Sequence, residues 1–113
     1  MATKAILAMR NDDGTFRGVY LHHGDVKSIW NMLPNTANEV RELIAGGYID
    51  FLIFNDGGRD VVRLDFPNYQ LVHTAASITE LFDLVTFRHV ENVLVFENGS
   101  WLVTRFLTDE VFG

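Results

Sequence analysis

Cysteine is absent from this chain of 113 residues, which excludes disulfides, thiolate zinc sites and cysteine nucleophiles. A composition without it fits a reducing compartment, and the cytoplasm is the expected location. Basic residues are scarce: nine Lys and Arg stand against fifteen Asp and Glu, a formal net charge of -6. That balance disfavours sequence-independent binding to phosphate backbones, so no direct nucleic-acid partner is expected. No apolar run approaches the roughly 20 residues of a membrane-spanning helix, and the short apolar stretch after Lys4 breaks at Arg10, too soon for a secretory signal. No membrane association is expected. Proline is confined to Pro34 and Pro67, and there is no internal repeat, low-complexity tract or linker.

What the chain does have is apolar mass. Hydrophobic residues make up 48%, with nine Phe, three Tyr and two Trp, enough for the core of one domain spanning residues 1–113.

Residues 5–10 are apolar, Asn11-Asp12-Asp13-Gly14 is a turn, and residues 16–22 alternate like a strand, which together read as an antiparallel hairpin. From Asp25 the period becomes helical through Val26, Ile29, Trp30 and Leu33, with Asp25 as N-cap and Pro34 as the stop. Thr36 or Asn35 can cap a second helix, in which Thr36 and Glu39 have capping-box spacing and Val40, Leu43 and Ile44 mark the buried face, ended by Gly46-Gly47. Residues 48–54 fit either a buried strand or a helical turn, and their aromatic and β-branched content favours the strand. Asn55-Asp56-Gly57-Gly58 is a turn, residues 59–65 form a strand, Phe66-Pro67-Asn68 breaks it, and residues 69–73 are extended. Ser77 and Glu80 box a third helix with Ile78, Leu81, Phe82 and Val85 on one side. Residues 92–96 and 100–106 flank Glu97-Asn98-Gly99, a strong hairpin signal. The expected fold is an α+β domain in which the N- and C-terminal hairpins share one antiparallel sheet, with about three helices covering one face.

Asp13-Gly14-Thr15-Phe16-Arg17-Gly18-Val19-Tyr20, residues 40–49 (Val-Arg-Glu-Leu-Ile-Ala-Gly-Gly-Tyr-Ile) and residues 93–103 (Val-Leu-Val-Phe-Glu-Asn-Gly-Ser-Trp-Leu-Val) resemble segments of a group of small proteins from tailed bacteriophages and prophages. In that group the opening hairpin reads like Asp-Gly-Thr-Tyr-Arg-Gly-Ile-Tyr and the closing one like Tyr-Leu-Phe-Glu-Asp-Gly-Glu-Trp-Tyr-Val. The likeness covers both ends and one helix. It departs after His22, where this chain has His23-Gly24-Asp25-Val26 in place of Trp-Asp-Gly-Tyr. The resemblance implies a phage origin and the cytoplasm of an infected bacterial cell.

His22, His23 and Asp25 are residue types that ligate metals. Adjacent histidines on a strand point to opposite faces, however, so Asp25 is expected to cap a helix while one histidine packs and the other meets solvent, with no metal bound. Ser28, Ser77 and Ser100 lie in no Gly-x-Ser-x-Gly turn, and Gly57-Gly58 begins no phosphate loop, so neither a catalytic residue nor a cofactor is expected. Asp50, Asp56, Asp60 and Asp65 fall in one region and Asp12 and Asp13 in another, too few for a DNA-like field. Trp30 and Trp101 are expected in the core, although an exposed tryptophan is a natural contact hot spot.

The expected role is therefore a non-enzymatic phage accessory protein that binds a bacterial host protein, in host takeover or anti-defence. Its candidate contact residues are Tyr20, His22, His23, Asp25, Trp30, Asp56 and Asp60. One alternative is a homo-oligomeric structural or virion-associated module pairing through an edge such as residues 59–65. A second is a small metal-dependent hydrolase centred on His22, His23 and Asp25.

Overall fold

Four consecutive buried residues, Ala5 to Ala8, set the architecture, because a strand without polar alternation must be covered on both faces. In the computed structural model of the chain, which describes residues 4–55, 58–63, 72–84 and 90–105, this run lies in strand β1 (Ala5–Arg10). It pairs antiparallel with β2 (Phe16–Leu21), Ala5 opposite Leu21 and Arg10 opposite Phe16. The intervening loop is closed by the Asn11 N–H donating to the Thr15 carbonyl at 2.8 Å. The Asp13 carboxylate accepts from the Thr15 N–H at 2.9 Å and from its hydroxyl at 2.6 Å. These bonds favour the charged form and hold the Asp13 carboxyl below its ordinary pKa.

After β2 come a single turn α1 (Val26–Ile29), a 3-10 turn (Trp30–Met32), α2 (Ala37–Ala45), the hairpin β3 (Ile49–Asn55) and β4 (Gly58–Arg63), then β5 (His73–Ala75), α3 (Ile78–Leu84), and the hairpin β6 (Asn92–Glu97) and β7 (Ser100–Arg105). The segment that sequence left between strand and helix is thus strand β3. Local bonds mark the helix starts: the Glu39 N–H donates to the Thr36 hydroxyl oxygen at 3.3 Å, and the Glu80 N–H to the Ser77 hydroxyl oxygen at 3.1 Å. At the last hairpin Asn98 and Gly99 both take positive φ, 54° and 83°, as a two-residue turn between twisted strands demands.

Three expectations are corrected. The seven strands form a mixed sheet, ordered β4-β3-β2-β1-β6-β7 with β5 also on β2, rather than a purely antiparallel one. The terminal hairpins do share it, but they join through parallel β1 and β6, and β2 and β3 are parallel as well. Side-chain alternation within a strand carries no record of a distant partner's direction, whereas a helical crossover such as α1–α2 permits parallel pairing. Secondly, among the described residues the sheet carries two helices of more than one turn, α2 and α3, rather than three. The apolar spacing from Val26 yields one α-helical turn and one 3-10 turn, and Leu33 is already extended ahead of Pro34 (ψ 139°). Thirdly, both faces are covered. Ala5, Leu7, Val19, Leu21 and Leu94 pack with Val40, Leu43 and Ile44 of α2. Ile6, Ala8, Val93 and Val95 form the opposite layer with Tyr20, Tyr48 and Leu81 of α3.

Each fully buried Val, Leu or Ile side chain contributes roughly 1.5–3 kcal/mol, and β1 and β6 supply such residues to both layers of the core. Trp101 stacks edge-on against Phe96 at 5.4 Å and its indole N–H donates to the Pro34 carbonyl at 2.7 Å, tying β7 to the segment before α2. Asp56, Asp65, Val85, the 66–68 break and residues 106–113 lie outside the described residues.

Candidate functional site

Strand β2 ends at Leu21, and from there the chain bends instead of continuing its pleat. Its neighbour β3 runs parallel from Ile49. The His22 N–H donates to the Ile49 carbonyl and the His23 N–H to the Asp50 carbonyl, each at 2.9 Å. These two bonds bring residues from opposite ends of a helical connection into one corner.

The bend cancels the alternation that would have sent the two imidazoles to opposite faces. Their rings instead meet edge to face with centroids 4.8 Å apart, and the His23 ring also meets the edge of Phe51 at 5.9 Å. His22 is half-buried and its Nδ1 shares a 2.7 Å hydrogen bond with the Tyr20 hydroxyl. His23 is exposed, with Nδ1 3.1 Å from the Asp50 carbonyl oxygen and 3.2 Å from its carboxylate Oδ1. One packs and one meets solvent, as the sequence suggests.

The carboxylate at this corner is Asp50, not Asp25. Asp25 occupies the N-cap position of α1 but its side chain makes no capping hydrogen bond, which corrects the expected role. His22, His23 and Asp50 each present one donor atom, all within 4.8 Å of one another. Asp50 was visible in sequence only as one of several scattered acids, because its proximity depends on the parallel register of β2 and β3.

Behind this corner lies a second imidazole. His73 on β5 is buried and its Nε2 shares a 2.6 Å hydrogen bond with the Tyr48 hydroxyl. Tyr48 and Tyr20 are both fully buried, with ring centroids 5.3 Å apart. Burial lowers the His73 pKa, so the ring is held neutral. The two His–Tyr pairs form a continuous row from His73 on β5 to the exposed His23.

The remaining candidates scatter. Tyr20 is 1% exposed, so it supports His22 and reaches no partner surface itself. Trp30 is 45% exposed, in contrast to the core position expected for it, while Trp101 is half-buried. Asp60 lies on β4 opposite Ile53. Sequence reading missed the far edge of the sheet, where β7 exposes Leu102 (54%) and Val103 (43%). Among the described residues no helix is long and apolar enough to cross a membrane. Comparison of the chain with protein-family models, with curated proteins and with solved structures finds no match.

Proposed function

We propose that the chain is a small accessory protein of tailed-phage type that binds a bacterial host protein in the cytoplasm of the infected cell and alters it by occlusion, without catalysing a reaction. The observation that carries this reading is Trp30, a large aromatic left nearly half exposed on a short 3-10 turn. Aromatic anchors of this kind supply much of the binding energy of protein interfaces. The net charge of -6 suits a basic partner surface. The test is quantitative capture from lysates of several bacterial hosts with the intact chain and with Trp30→Ala. A host protein enriched by the first and lost with the second, at unchanged circular dichroism, is the expected result. Equal capture by both, or no enrichment over a blank surface, rejects it.

A second reading, a homo-oligomeric module, is favoured by the exposed Leu102 and Val103 on the edge strand β7. Light scattering decides it: an oligomer that Leu102→Lys converts to monomer supports self-pairing, and a monomer at high concentration removes it.

A further inference from the structure

We propose that His22, His23 and Asp50 form a binding site for a divalent first-row transition cation, with Zn2+ the ion that suits the donors best. The proposal does not depend on the partner-binding reading. Two imidazoles and one carboxylate are the donor set of open zinc centres, which use three protein ligands and leave a fourth position for water. Here one donor from each side chain lies within 4.8 Å of the other two. His23 Nδ1 and Asp50 Oδ1, 3.2 Å apart, already match the roughly 3.3 Å separation of two donors on a tetrahedral zinc ion.

The backbone and the surroundings support the site independently of the donor count. His22 and His23 are held by main-chain bonds to Ile49 and Asp50, so both ligand-bearing segments are fixed to one parallel ladder. The Tyr20 hydroxyl, buried and 2.7 Å from His22 Nδ1, is the kind of outer partner that orients a ligating imidazole. Gly24 follows directly, and a Cβ there would sit 2.6 Å from the Ala5 Cβ, so the chain leaves the corner along a path only glycine permits.

The experiment is titration of the EDTA-stripped full chain with Co2+, followed by visible absorption and by imidazole NMR resonances, with Zn2+ as competitor. Saturation by one equivalent, displacement by Zn2+ and perturbation of the His22 and His23 resonances are expected. Asp50→Asn should weaken binding by about tenfold or more, as should Tyr20→Phe to a lesser degree. Asp25→Asn should leave affinity unchanged. The proposal is overturned by absence of saturation up to about 1 mM metal, by binding that survives His22→Ala with His23→Ala, or by equal losses in Asp25→Asn and Asp50→Asn. If the double variant does not fold, the imidazole shifts of the unaltered chain and the Asp50→Asn titration still decide.

Discussion

Tyr48–His73 and Tyr20–His22 are the same pair of side chains set at two depths. Their hydrogen bonds are alike, 2.6 Å and 2.7 Å, and their tyrosine rings touch. What differs is what lies beyond each histidine. His73 is enclosed, so its neutral ring serves the core. His22 stands at the end of β2 beside His23 and Asp50, where the same bond orients an imidazole toward the surface. One interaction thus acts as a core fastening in one place and as the support of a candidate site in the other, and depth decides which.

The comparison breaks most severely at Tyr48. Tyr48→Ala removes a fully buried aromatic and is expected to cost about 3–5 kcal/mol, read as a lower denaturation midpoint at unchanged slope. Gly24→Ala strikes at the surface pair from the core side: its new methyl meets the buried Ala5 backbone and side chain, for a loss of about 1–3 kcal/mol and altered His22 and His23 resonances. Tyr48→Phe keeps the ring but strips the buried His73 nitrogen of its partner, costing about 1–3 kcal/mol. Tyr20→Phe should cost less than Tyr48→Phe, about 0.5–1.5 kcal/mol, because half-buried His22 can turn to water. Equal losses in the two tyrosine-to-phenylalanine variants would erase the distinction of depth.

The smallest effect is a pH dependence of the inner pair. His73 has a folded pKa below its ordinary 6.5, so the unfolded chain binds the proton more readily. Its contribution is present above pH 6.5 and is lost as pH falls below it toward the folded value. Denaturation series from pH 7.5 downward should show this slope in the unaltered chain and a shallower one in His73→Gln.

Much of the local structure could be read from particular residues. Asp13-Gly14 and Asn98-Gly99 marked their hairpins because tight turns need residues that bend without strain, and Thr36/Glu39 and Ser77/Glu80 marked helix starts because their side chains satisfy open amides. Val40, Leu43 and Ile44 named their own buried face. The segment after Asp25 misled, since its apolar spacing was helical while Pro34 and the Leu33 backbone allowed only two short turns. The candidate site misled in a different way. His22 and His23 were prominent, but alternation set them apart and proximity in sequence suggested Asp25.

The hairpin turns and the Thr36 and Ser77 caps were legible in the chain, because each depends on side chains within a few positions of one another. The parallel pairing of β1 with β6 and of β2 with β3, the covering of both faces of the sheet, and the completion of the histidine corner by Asp50 rather than Asp25 arose in the folded molecule alone. Those outcomes depend on which distant strands share hydrogen bonds and in what register. A partner 27 residues away leaves no mark in the local pattern of either strand.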